Sequence, residues 1–230
     1  MLGRMAAPPR PARRVAGGHV APAVMEAVSR AGHGLLLLVV VVEALALVVS
    51  QQLGVARYLD PSVRDTVHGG ELILVAGFAL IALAAFGAWR AHRYWLAVQL
   101  IRAYVIVITL EIIEDVVLLV LATQAEAPHS LWYLADLASV LALNVAVFTI
   151  SYVILDVTTP QEVFVFPARS GEHAERGLVD YLFLAFNTTM TFGPTIETPV
   201  DRRAKLVMML QTILSVTILV VLASRIVSRS

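Results

Sequence analysis

Long apolar runs constrain this chain more than any other feature of its sequence. A helix needs about 20 apolar residues to cross a hydrocarbon core, and five runs reach or approach that length: 34–53, 71–89, 95–122, 131–155 and 205–226. Hydrophobic residues make up 59% of the 230 residues, above the half or so of a soluble domain. The pattern predicts an all-α integral membrane protein with about five transmembrane helices.

The segments between these runs divide the chain. Residues 1–33 are rich in Pro, Gly and Arg, so we predict a disordered basic tail. We predict a three-helix membrane part over residues 34–130. The second part, residues 131–230, is predicted to contain two long helices with a short segment between them. The linker 54–70 is polar and is predicted to be a loop. In the second part, residues 178–192 are apolar but too short to span comfortably, which indicates a half-length segment before the last helix.

The end of that short segment reads "TTMTFGPT", residues 188–195. Its place between two apolar helices resembles the helix–pore loop–helix unit of potassium channels, whose filter reads Thr-Thr-Val-Gly-Tyr-Gly-Asp. Aligned on the aromatic–Gly pair, Thr188 and Thr189 match the two Thr, Met190 takes the Val position, and Phe192–Gly193 takes Tyr-Gly. Residues 135–227 also resemble uncharacterised bacterial multi-helix membrane proteins with channel-like ends, a likeness that implies no known activity.

Two departures make this a degenerate filter. Thr191 stands where the channels have their first Gly, and a β-branched residue adopts positive φ poorly. Pro194 stands where they have Asp, so a carboxylate and an N–H donor are lost. The resemblance implies a short re-entrant pore-like helix and a homo-oligomer, a tetramer if it forms a pore. The expected function is a weakly selective cation pore.

Acidic residues inside the third run suggest a different function. Glu111, Glu114 and Asp115 are spaced so that all three are expected on roughly one helical face. Glu43 and Asn144 fall near the centres of two other runs. An intramembrane carboxyl must face protein or water. These residues predict either a path for protons or monovalent cations in a small coupled transporter, or a hydrogen-bonded structural layer in a protein that transports nothing.

Positive charge predicts the orientation. With the N-terminus inside, that side would hold twelve Lys and Arg against four on the other, so the charge rule favours N-in. Four crossings then return the chain to the inside, whereas the pore loops of potassium channels enter from outside. Three interpretations stay open: an inverted pore loop, a sixth thin crossing by residues 178–193, or a failure of the charge rule.

Other functional classes find no support in the composition. The zero net charge gives no reason to expect a nucleic-acid partner. Without Cys there is neither a disulfide framework nor a thiolate metal site. No catalytic constellation or cofactor site is recognisable, so we expect neither an enzyme nor a cofactor. Ala and Val dominate, and a single Lys stands among 17 Lys and Arg, which favours a bacterial source and a multi-pass protein of the cytoplasmic membrane.

Overall fold

The computed structural model describes residues 61–122, 131–159, 161–166, 177–190 and 198–227, together with residues 34, 38–42 and 44–45. Glu43 and the predicted tail, residues 1–33, lie outside the described residues. The described part confirms an all-α chain, with one very short two-stranded sheet. Its elements are α1 (Pro61–Arg90), α2 (Tyr94–Ala122), α3 (Leu131–Thr158), β1 (Phe164–Val165), α4 (Leu178–Met190), β2 (Thr198–Pro199) and α5 (Arg202–Val227).

Three helices of the described part are long and apolar enough to cross a membrane. Their spans are Tyr94–Val117 in α2, Leu137–Thr158 in α3 and Arg202–Ser224 in α5. In α1 the apolar part, Ala76–Arg90, is shorter. The prediction of a loop over residues 54–70 is wrong from Pro61 onwards, because Pro suits the first position of a helix, where its missing N–H and fixed φ cost nothing.

Helix α3 is the centre of the bundle. It packs against α2, α4 and α5, and every residue from Leu143 to Ile150 is buried. Within an apolar 18-residue window of its span 67% of the residues are buried, against 28% in the corresponding windows of α2 and α5. Helices α2 and α5 therefore each pack one face against α3 and leave a largely apolar face exposed.

The two short strands determine the course of the chain around α4. In the antiparallel ladder, Phe164 pairs with Pro199 and Val165 pairs with Thr198. The N–H of Val200 also donates to the carbonyl of Val163 at 2.8 Å. Strand β1 follows the end of α3, and β2 precedes the start of α5. The chain therefore enters and leaves the segment containing α4 at one end of the bundle, which we call the hairpin end.

Further contacts show which other helices begin at the hairpin end. Arg102 of α2 donates to Thr158 at the end of α3, 2.6 Å away, so α2 begins at the hairpin end. A Cβ built on Gly34 would lie 3.5 Å from Leu178, so the first apolar run also begins there. Helix α5 starts at the hairpin end and runs away from it. Because β1 and β2 pair there, the chain returns to the end of the bundle at which α4 begins, and this course argues against the interpretation of residues 178–193 as a sixth crossing.

Candidate functional site

Helix α4 is short, capped and buried on one face. The side chain of Asp180 accepts a hydrogen bond from the N–H of Gly177 at 2.8 Å, and a carboxylate in the first turn also suits the helix dipole. Its buried residues, Tyr181, Leu184, Ala185 and Thr189, repeat at the three- and four-residue spacing of one helical face. Thirteen residues extend only about 20 Å, so α4 ends inside the bundle.

The side-chain amide of Gln211 on α5 receives the inner end of α4. Its Nε2 donates to the carbonyl of Ala185 at 2.8 Å and to Oγ1 of Thr189 at 2.8 Å. Its Oε1 accepts a hydrogen bond from the hydroxyl of Tyr152 on α3. Gln211, Tyr152 and Thr189 are all fully buried. One amide thus links three helices through backbone and side-chain hydrogen bonds, with both of its polar atoms used.

A second layer lies one turn further along α5. Asn144 donates through Nδ2 to Oγ of Ser215 at 2.9 Å, and Ser215 donates to the carbonyl of Gln211 at 2.8 Å. Asn144 is fully buried, and its Oδ1 has no hydrogen-bond partner among the described residues. We call Asn144, Tyr152, Ala185, Thr189, Gln211 and Ser215 the amide network.

The described part of the filter-like sequence belongs to α4 and to this network. The Oγ1 of Thr188 donates to the carbonyl of Leu184 at 2.8 Å, and the Thr188 side chain lies near the hydroxyl of Tyr152. Thr189 bonds Gln211, and Met190 ends the helix. The other predicted filter residues, Thr191, Phe192, Gly193 and Pro194, lie outside the described residues.

The predicted acid layer divides into two faces. Glu111 and Asp115 are half-buried, whereas Glu114 is exposed. The three acids span about 100° of the helix circumference, as their spacing predicts, but the edge of the buried face falls between them, so Glu114 is exposed. Ile112 and Val116, both buried, mark the side of α2 that meets the bundle, and Glu114 points away from it.

The two inner acids lie at the level of the amide network. Arg102 bonds Thr158, and α2 and α3 run in opposite directions. Both helices rise about 1.5 Å per residue, so counting from the contact between Arg102 and Thr158 places Asp115 level with Val145, next to Asn144. Glu111 lies about one turn nearer the hairpin end. Glu111 is therefore level with the region between the two layers of the network.

Exposed basic residues cluster at the hairpin end, in the last turn of α1, the turn after it and the first turn of α5: Arg90, Arg93, Arg202, Arg203 and Lys205. The two ends of the segment that contains α4 therefore lie at the same end of the bundle as these basic residues. The first apolar run also begins there, and the charge count predicts an excess of positive charge on that side.

The sequence pattern did not reveal the residues that hold α4. Gln211, Tyr152 and Ser215 were not predicted, although a lone Gln inside an apolar helix is a signal of the same kind as Asn144. Tyr152 offers no such signal, since Tyr is common in apolar runs. No family model, curated protein or solved structure matches this chain, so its function is inferred from its own geometry.

Proposed function

We propose that this chain is a channel-like, multi-pass protein of the bacterial cytoplasmic membrane. In this proposal the first apolar run, α1, α2, α3 and α5 span the membrane, and α4 is a re-entrant pore helix. The turn beyond α4, from Thr188 to Pro194, then lines a weakly selective cation pore. Several copies are required, since one 13-residue helix cannot enclose a pore.

The observation that carries the proposal is the path of the chain around α4. The paired strands β1 and β2 bring both ends of the segment to the hairpin end, and the Gln211 amide holds the inner end of α4 within the bundle. The last four carbonyls of a helix lack partners within it, and the dipole places partial negative charge there. Such a helix end, at mid-level of the bundle, favours a cation.

The chemistry of the turn argues for weak selectivity. A potassium filter replaces the hydration shell of the ion with aligned backbone carbonyls, which requires backbone angles that Gly adopts easily. Thr191 and Pro194 disfavour those angles and remove a donor. We expect sodium and potassium to pass at similar rates, partly hydrated.

The basic hairpin end supports a cytoplasmic opening. Positive residues flanking membrane spans are retained inside, and the exposed Arg and Lys of α1 and α5 lie at that end. The loop then opens towards the cytoplasm, which is the inverse of the potassium-channel arrangement and the first of the three interpretations of the sequence.

A flux assay on the purified protein in liposomes tests this function. We expect cation flux in the unmodified protein, with less than about tenfold preference between sodium and potassium, and little chloride flux. Gly193→Val should reduce the flux by about tenfold or more, while the matched change Ile213→Val, on the exposed face of α5, should leave it unchanged. Folded protein that passes no cation in either direction of insertion would overturn the proposal.

The second candidate is a proton- or cation-coupled transporter that uses Glu111 and Asp115. The observation in its favour is that both acids are half-buried at the level of the amide network. Glu111→Gln keeps the shape but cannot ionise. If this variant abolishes transport while Gly193→Val does not, the transporter is the better proposal. A protein insensitive to both changes and without flux would be a membrane protein with no transport role.

A further inference from the structure

Helix α2 carries a carboxyl group on its outward face. The exposed residues of this face repeat at three- and four-residue spacing: Ala103, Ile106, Val107, Leu110, Glu114 and Val117. All except Glu114 are apolar, and Leu110 and Val117 on either side of it are 60% and 50% exposed. Within the described parts of the spans of α2, α3 and α5, Glu114 is the one exposed acidic or basic residue apart from the basic start of α5, and it lies three residues from the end of the α2 span at Val117.

Lipid alone is a poor cover for this face. An acid inside the hydrocarbon costs about 2.5–3.5 kcal/mol even on insertion scales, so such residues face protein or water. The chain continues apolar from Val116 to Ala122, about 10 Å along the helix. A glutamate side chain is too short to reach polar headgroups over that distance. The described residues leave Glu114 exposed, so its cover comes from outside them.

We propose that the outward face of α2 packs against the same face of a second copy, with the two Glu114 carboxyls hydrogen-bonded across a two-fold axis. A protonated carboxyl has one O–H donor and a carbonyl acceptor, so it complements itself, as an isologous contact requires. The apolar residues on either side have the spacing at which helices pack side by side.

The outward face of α5 offers no comparable reason for a partner. Its exposed residues are Leu206, Met209, Ile213, Val216 and Val220, which lipid chains cover without cost. Since apolar side chains gain little by leaving lipid for another helix, the polar group on α2 distinguishes the two faces.

The contact is independent of the proposed pore, because neither α4 nor the amide network contributes to it. It bears on the pore in one respect. A two-fold contact closes at two copies, so a pore formed by that assembly would contain two α4 segments rather than the four of a potassium channel.

Cysteine cross-linking in membranes tests the contact, and the absence of Cys from the chain keeps the experiment clean. With oxidant, Val117→Cys and Leu110→Cys should form cross-linked dimers. Ile213→Cys, equally exposed on α5, is the matched control and should stay monomeric. In the Val117→Cys background, Glu114→Gln should keep the cross-link because an amide also donates and accepts. Glu114→Leu should reduce it by about threefold to tenfold, because both hydrogen bonds of the carboxyl pair are lost.

Three outcomes would overturn the proposal. One is cross-linking at Ile213 as strong as at Val117, and another is cross-linking unaffected by Glu114→Leu. The third is rapid reaction of Glu114→Cys with a water-soluble thiol reagent, which would assign this face to an aqueous path. Thermal unfolding of each variant in detergent checks that the fold is retained. Flux plays no part in these readouts, so failure of the contact and failure of the pore are distinguishable.

Discussion

The amide of Gln211 donates a hydrogen bond to the hydroxyl of Thr189, 2.8 Å away. This bond joins the third turn of α5 to the last turn of α4, and it lies where the filter-like sequence begins. Because Gln211 also bonds Ala185 and Tyr152, one side chain ties the inner end of α4 to both α3 and α5. A substitution of Gln211 therefore offers the most direct way to displace the proposed pore loop while its own sequence is unchanged.

Replacing Gln211 by Leu should destabilise the protein and abolish any flux. The change leaves the buried hydroxyls of Tyr152 and Thr189 without this partner, and an unsatisfied buried group costs about 1–3 kcal/mol. Thermal unfolding in detergent measures the loss. Thr212→Val is the control, since the Thr212 hydroxyl bonds the carbonyl of Met208 in its own helix and its loss should cost about 0.5 kcal/mol or less. Equal effects of both changes would contradict the assigned role of Gln211.

Thr189→Val should have a smaller effect than Gln211→Leu. The shape of the side chain is kept, and Gln211 retains Ala185 as an acceptor, so we expect a loss of about 0.5–1.5 kcal/mol. Thr189→Ser keeps the hydroxyl and is the matched comparison. Gln211→Leu, Thr189→Val and the variant with both changes form a double-mutant cycle. The losses of unfolding free energy of the two single variants should differ in sum from the loss of the double variant by about 0.5 kcal/mol or more. Strict additivity would mean that the two residues do not interact.

Asn144→Leu should be nearly neutral, within about 1 kcal/mol. It removes the hydrogen bond to Ser215, which destabilises the protein. It also removes a buried Oδ1 that has no partner among the described residues, and the two effects on the free energy of unfolding can cancel. Asn144→Asp should cost more, because a carboxylate cannot donate to Ser215. Unfolding temperatures of the two variants decide the matter. A larger loss for Leu than for Asp would show that the Oδ1 has a stabilising partner.

Phe164→Ala should open the hairpin end. The ring is fully buried and packs edge-on against Tyr152 and Tyr181, with centroids 5.3 and 6.5 Å apart. Truncating such a ring costs about 3–5 kcal/mol. Val165→Ala is the control, because the next residue of β1 faces outwards and is 42% exposed. Faster proteolysis between α3 and α4 should accompany the first change only, and similar proteolysis of both would argue against the ring as the support.

The sequence predicted the helices better than their contacts. Apolar runs identified α2, α3, α4 and α5 to within a few residues, because length and hydrophobicity decide whether a segment is helical in a membrane protein. Strands β1 and β2 have two residues each, too few for any periodic pattern. Nothing in the sequence therefore indicated that the chain returns to the hairpin end after α4.

The candidate site shows the same limit. Thr188 and Thr189 were identified by resemblance, but the hydrogen bond between Thr189 and Gln211 of α5 followed only from the fold. The spacing of Glu111, Glu114 and Asp115 placed them on one half of α2, but the boundary between inward and outward faces depends on where α3 lies. Glu114 falls outside that boundary, which no pattern within α2 itself could have indicated.

The central claim is that the chain enters and leaves the α4 segment on one side of the membrane. Single cysteines at Val165 and Val200, both exposed at the hairpin end, and at Ser230 test it directly with an impermeant thiol reagent on right-side-out and inside-out vesicles. We expect positions 165 and 200 to react from the same side, the cytoplasmic one, and position 230 from the other. Reaction of positions 165 and 200 from opposite sides would make α4 a full crossing and would contradict the account.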